Sequence, residues 1–220
     1  MVSSKFFAIC AVAAAFICSA SFAAEAVRVA CVGDSITYGA RIVNRDADSY
    51  PAQLGKILGK TFEVRNFGVN GTTALSKGDY PYVSTPAYKS ALAFNPDIVI
   101  IKLGTNDTKP FNWRFKEDFE RDLSSIIKSF QGLPSHPRVF LCRPVPAYQS
   151  GGNSIRGEIV KEGVLPIIDK IAADNGLVVI DLFSALADKP QLFPDKIHPN
   201  EAGAKIIAEA VAAAITKNKK

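Results

Sequence analysis

Asp97-Ile98-Val99-Ile100-Ile101-Lys102-Leu103 is a nearly unbroken apolar run. A short β-branched segment without polar alternation reads as a strand covered on both faces, and such strands belong to parallel sheets flanked by helices. Outward from this run the chain alternates strand-like and helix-like segments. Toward the amino terminus, Val27 to Val32 is a strand ending at Gly33, Ser49 to Leu58 a helix and Phe62 to Phe67 a second strand. A loop rich in Gly, Thr, Ser, Tyr and Pro follows from Gly68 to about Pro86, then a short helix over Ala87 to Phe94. Toward the carboxyl terminus, Phe115, Phe119, Leu123, Ile126, Ile127 and Phe130 recur at helical spacing and form one face of an amphipathic helix. Arg138 to Val145 is the next strand, leading into a loop with Pro146, Gly151 and Gly152. Ile155 to Asn175 is helical in pattern, with Gly163 and Pro166 expected to kink it or delay its start. Leu177 to Leu182 is the last strand, and Asn200 is placed to cap a final helix whose core face includes Ile206, Ile207, Val211 and Ile215. Strands separated by helices require crossover connections. The expected fold is therefore one doubly wound α/β domain, a mostly parallel sheet with helices on both faces.

Composition agrees with that reading and removes others. With 48% hydrophobic and 21% charged residues in 220, the chain is neither disordered nor collagen-like, nor a bare disulfide scaffold. Lys and Arg number 26 against 21 Asp and Glu, a net charge of +5 that is dispersed along the chain. Its densest basic run is only Lys217, Asn218, Lys219 and Lys220, and no basic stripe or recognition motif points to a nucleic-acid partner.

Residues 1–24 are expected to be a cleaved signal peptide, with the domain over 25–220. Lys5 supplies a positive start, Phe6 to Cys18 an apolar stretch too short to span a membrane, and Ser21-Phe22-Ala23 a small-x-small cleavage site. Ala24-Glu25-Ala26 is a second candidate. The product is expected to be secreted or periplasmic, with no membrane attachment after cleavage. Cleavage removes Cys10 and Cys18, leaving Cys31 and Cys142 inside apolar strands, where cysteine behaves as a small hydrophobe. No Cys or His cluster has metal-site spacing.

Open α/β sheets bind ligands beyond the carboxyl ends of their strands. Past the first strand lies Gly33-Asp34-Ser35-Ile36-Thr37, past the second Asn66-Phe67-Gly68-Val69-Asn70-Gly71, and past the third Gly104-Thr105-Asn106-Asp107. Past the fifth comes Asp195-Lys196-Ile197-His198-Pro199. These stretches bring a hydroxyl, backbone donors, an amide and an imidazole–carboxylate pair to one edge, which are the parts acyl transfer needs. His136 precedes a strand and sits at the opposite edge, so His198 is the candidate base. Asp34 and Asp107 are expected to bond nearby backbone. Asp181 competes with Asp195 as the partner of His198, but Asp195 is only three residues away.

Gly33-Asp34-Ser35, Gly71, Gly104-x-Asn106-Asp107 and Asp195-x-x-His198 together resemble the four motif blocks of the SGNH (GDSL-type) hydrolases, in family order and spacing. The resemblance implies a flavodoxin-like, five-stranded sheet of order 2-1-3-4-5. That order puts the third strand between Cys31 and Cys142, so two free thiols are expected. It also implies Ser35 as nucleophile, His198 as base and Asp195 as its partner. The oxyanion hole would be Gly71, Asn106 and the backbone N–H of Ser35, and no metal or cofactor is needed. The Gly-x-Ser-x-Gly elbow of α/β-hydrolases is absent, because Thr37 replaces its second glycine.

Secretion argues against an acyl-CoA or acyl-carrier substrate, and the loops are polar and aromatic rather than lid-like. Tyr80, Tyr82, Trp113 and Tyr148 follow strand ends, where aromatic faces stack on sugar rings, and Lys109 and Asn112 flank the same site. Tyr80, Lys109, Asn112, Trp113 and Tyr148 are the expected substrate contacts. The Gly104-to-Trp113 and Asp195-to-Asn200 stretches resemble the carbohydrate O-acetylesterase branch of the family, which implies an acetylated carbohydrate or other ester as partner. The alternatives are a lipase or arylesterase acting on longer or aryl esters, and an O-acetyltransferase using the same acyl-enzyme. The oligomeric state is left open.

Overall fold

The computed structural model describes residues 25–149 and 154–217. The expected signal peptide, Gly151, Gly152 and the final Asn218, Lys219 and Lys220 lie outside the described residues. Five strands form one sheet: β1 (Val27–Gly33), β2 (Phe62–Gly68), β3 (Ile98–Lys102), β4 (Arg138–Arg143) and β5 (Val178–Asp181). Every pairing is parallel and the order is β2-β1-β3-β4-β5. The principal helices are α1 (Ser35–Tyr38), α2 (Tyr50–Leu58), α3 (Pro86–Ala93), α4 (Phe119–Gln131), α5 (Leu165–Asn175) and α6 (Glu201–Lys217).

Alternation along the strands divides the core into two layers. Val29, Cys31, Ile98, Ile100, Phe140, Cys142 and Ile180 face Tyr50 and Leu54 of α2 and Ile207, Val211 and Ile215 of α6. Ala30, Val32, Val99, Ile101, Val139 and Leu141 face the other way, onto Ala91 of α3, Leu123, Ile126, Ile127 and Phe130 of α4, and Ile168 of α5. A fully buried Ile or Val contributes about 1.5–3 kcal/mol, so β3, buried at every position, is the seam that holds both layers. Edge strand β2 instead carries the exposed Arg65 and partly exposed Glu63, paired with one another, and charge on an edge discourages pairing with a second chain.

The element ends differ from the sequence reading for local reasons. β4 stops at Arg143 because Pro144 has no N–H for the ladder. The helix expected from Ile155 begins in earnest only at Leu165. A single turn at Gly157–Ile159 is followed by a wide turn, Val160–Val164, closed by Leu165 N–H on the Val160 carbonyl. Pro166, at the start of α5, donates nothing backward, which favours that wide turn. Thr85 caps α3 by accepting from Tyr88 N–H at 3.1 Å, and Asn200 accepts from Gly203 N–H at 3.0 Å at the start of α6. Cys31 and Cys142 are free and fully buried on β1 and β4, with β3 between them. Burial raises both thiol pKa values, that of Cys31 to about 12.

Gly33 lies level with Gly68 of β2 and Lys102 of β3. Three strands thus end on one line, and the loops that leave it meet above the same point.

Candidate active site

At the end of β1 the chain must turn sharply into α1. A side chain at Gly33 would put a Cβ 2.2 Å from Thr37 Oγ1 and 2.5 Å from the Lys102 carbonyl, so only glycine lets the turn pass that close. Asp34 caps α1 by accepting from Ile36 N–H at 3.0 Å, the backbone bond expected of it. Its carboxylate also meets the ammonium of Lys102 at 2.9 and 3.0 Å, both side chains fully buried. Ser35, the first residue of α1, keeps 6% of its surface exposed.

The His198 loop reaches Ser35 from 163 residues away, and His198 Nε2 lies 2.8 Å from Ser35 Oγ. His198 Nδ1 lies 2.7 Å from Asp195 Oδ2. Asp195 Oδ1 accepts from the backbone N–H of Ile197 at 3.0 Å and of His198 at 2.7 Å, so one carboxylate shapes the turn and holds the ring. The turn places Lys196 at a φ of 66°. Burial raises the Asp195 pKa, but the bonds from the His198 backbone and ring and from Ile197 outweigh it and hold the carboxyl below its ordinary range. Arg41 Nε lies 3.4 Å from Asp195 Oδ2, on the side open to solvent. Asp181 is engaged elsewhere: it pairs with Arg143 at 2.7 Å and caps a turn through Ser184 N–H at 2.9 Å. His136, in the turn before β4, is at the opposite edge.

Asn106 follows β3 and is 3% exposed. Its amide donates to the Thr72 carbonyl at 3.0 Å, which fixes it beside the loop containing Gly71. Gly71 has a φ of 81°, a conformation that glycine adopts without strain. Asp107 accepts from the N–H groups of Leu75 at 2.8 Å and Ala74 at 3.2 Å, clamping the same loop from within. Burial raises the Asp107 pKa to about 7 despite these backbone bonds.

The five expected substrate contacts fall in different environments. Tyr80 is 43% exposed. Lys109 is partly buried and pairs with Asp79 at 3.2 Å. Asn112 is buried and donates to Asp79 at 2.8 Å and to the Asn106 carbonyl at 2.9 Å, so its amide braces the loop that carries Asn106. Trp113 packs edge-on against Phe119 with ring centroids 5.8 Å apart. Tyr148 donates to the Ala187 carbonyl at 2.7 Å and packs on Phe193. Thus the amide of Asn112, expected to meet a ligand, is satisfied inside the protein, and the hydroxyl of Tyr148 is bonded to backbone. Sequence reasoning missed Lys102, Arg41, Asp79 and Arg156, whose backbone and side chain hold Thr108 at 3.0 and 2.7 Å. Of these only Lys102, a lone cation in an apolar strand, left a signal. Among the described residues, no three His, Cys, Asp or Glu side chains are grouped to hold a metal ion.

Residues 31–206 match the GDSL-like Lipase/Acylhydrolase family. An acetylxylan esterase of Xylanibacter ruminicola is 44% identical over 209 residues, covering 87% of this chain and 43% of the relative. The chain thus spans less than half the length of that relative. A carbohydrate acetylesterase from Sinorhizobium meliloti shares the fold with a TM-score of 0.72 at 18% identity, covering 87% of this chain and 99% of that one. An aryl esterase of M. smegmatis does so with a TM-score of 0.70 at 22% identity, with the same coverages. With its four motif-bearing loops converging inside a matched span of 31–206, the chain belongs to the GDSL-like lipase/acylhydrolase family.

Proposed function

We propose that this protein is a serine esterase that removes acetyl groups from carbohydrate through an acyl-Ser35 intermediate. The observation that carries the reading is the continuous chain from Ser35 Oγ to His198 Nε2 at 2.8 Å and from His198 Nδ1 to Asp195 at 2.7 Å. His198 takes the serine proton as Oγ attacks the ester carbonyl, and Asp195 stabilises the imidazolium that forms. The carbonyl oxygen becomes anionic and accepts from the backbone N–H of Ser35, the N–H of Gly71 and the Asn106 amide. Collapse expels the sugar hydroxyl, which leaves with the proton held by His198, and water then repeats the sequence on the acyl-enzyme. Substrate class is supported by the 44% identity to an acetylxylan esterase. The leader-like residues 1–24 support secretion of a domain over 25–220. Among the described residues, no helix is long and apolar enough to cross a membrane.

The test is acetate release from acetylated xylan, acetylated pectin and O-acetyl sialic acid, with Ser35→Ala as control. Acetate from one of them, lost in the variant, is the expected result. Activity that rises steadily from nitrophenyl acetate to the octanoate would replace the acetyl reading with a lipase-like one. Acetyl transfer to a sugar acceptor in preference to water would replace hydrolysis with transfer.

A further inference from the structure

We infer that Lys102 is a positioning residue for catalysis, a buried strut that sets the nucleophile turn against the oxyanion loop. The inference rests on Ser35 being the nucleophile and Asn106 an oxyanion donor. Lys102 is fully buried at the end of β3, a strand whose other residues are Ile98, Val99, Ile100 and Ile101. An ammonium has three N–H donors. In Lys102 they meet Asp34 Oδ1 at 3.0 Å, Asp34 Oδ2 at 2.9 Å and Thr105 Oγ1 at 2.8 Å. Asp34 immediately precedes Ser35, and Thr105 immediately precedes Asn106. One side chain therefore ties the residue before the nucleophile to the residue before the oxyanion amide. Asp34 Oδ1 also accepts from Ile36 N–H, so the pull of Lys102 passes into the first turn of α1, where the Ser35 N–H and Oγ are aimed.

Stability alone gives little reason for this arrangement. Replacing a buried ion pair by apolar groups of similar volume is often neutral or stabilising, and the rest of β3 shows that Ile or Val suits this sheet. Catalysis gives a better reason, because a displacement of about 1 Å between reacting groups can cost on the order of 100-fold in rate. Ser35 and Asn106 follow the paired strand ends Gly33 and Lys102, and the Lys102 side chain adds a direct tie between the residues just before them.

Three variants separate positioning from simple support: Lys102→Met, Asp34→Asn and the two combined, assayed with nitrophenyl acetate and by thermal melting. The single changes leave one buried charge unpaired and are expected to lower Tm. The double variant removes both charges and is expected to melt above either single variant. Its kcat is nevertheless expected to fall by about 10- to 100-fold, with KM within about two-fold, as mispositioning of the reacting groups requires. Thr105→Val keeps the ion pair and removes the third bond, and should lower kcat in the same sense by a smaller factor. A folded double variant with kcat within about two-fold of the parent overturns the inference. So does a loss of activity in all variants that merely tracks the unfolded fraction at the assay temperature. Ser35→Ala runs alongside: if it keeps full turnover, the esterase reading itself fails and the strut falls with it. If Ser35→Ala is inactive while the double variant is unimpaired, only the strut fails.

Discussion

Replacing Asp195 with Asn isolates the one contact in the catalytic chain that geometry says is electrostatic rather than structural. Asp195 Oδ1 accepts two backbone N–H groups, from Ile197 and His198, and an asparagine carbonyl oxygen can accept both. The turn that carries His198 should therefore survive. The other carboxylate oxygen, 2.7 Å from His198 Nδ1, becomes an NH2 group. A donor at that position makes Nδ1 an acceptor and moves the ring proton to Nε2, which faces Ser35 Oγ at 2.8 Å. His198 then donates to the serine when it should accept from it. The imidazolium formed on attack also loses its counter-charge. Together these should lower kcat by about 10³–10⁴, equivalent to about 4–5.5 kcal/mol on the barrier. Asp195 lies behind the ring from Ser35, so KM should barely change. One charge-assisted bond is lost, and a few degrees of Tm should go with it. The assay is steady-state hydrolysis of nitrophenyl acetate, with folding checked by circular dichroism and melting. A folded Asp195→Asn protein that retains more than about a tenth of parental kcat would refute the tautomer argument. Asp195 would then be a turn-forming residue only.

Three further outcomes follow from the same geometry. Asn106→Ala should lower kcat by about 10²–10³ with little change in KM if its amide serves the proposed oxyanion hole; a change confined to KM would reassign it to ground-state binding. Asp107 has a folded-state pKa raised from 3.8 to about 7 by burial, so its contribution to stability is fully present below the unfolded value and is lost as pH rises through about 7. In a comparison of Tm against pH, the advantage of the parent over Asp107→Asn should therefore shrink between about pH 4 and 7 and level off above, and a constant difference would contradict the raised pKa. Cys31 and Cys142 are both fully buried, so a thiol reagent at pH 8 should find neither in the native protein. The guanidinium-unfolded product should titrate as two thiols if the leader with Cys10 and Cys18 has been cleaved, and as four if it has not.

What the sequence discloses about this molecule depends on the range over which its physics acts. The β3 run is legible because burial on both faces of a parallel strand imposes one composition on consecutive residues, and the α4 stripe because helical geometry imposes a period. The Gly33-to-Ser35 turn, the Asp195–His198 pair and the Gly104-to-Asp107 stretch are legible for a related reason. Each is a local cluster with its own spacing, and strand ends supply a common address. The groups that hold those clusters in place leave no such trace. Asp34 and Lys102 are 68 residues apart, Asp79 and Asn112 33, and Arg156 and Thr108 48, and nothing in the neighbourhood of either partner announces the other. Asn112 shows the cost of this. From its position just past the Asn106 loop it was expected to meet a substrate, but it is the amide that holds the Asn106 carbonyl from behind. Polar residues near an active-site motif therefore divide into those that face the ligand and those that brace the motif, and burial is what tells them apart. Asn112 and Lys102, buried with their donors satisfied, stand on the second side of that division, whereas Tyr80 is exposed and leaves its expected role to experiment.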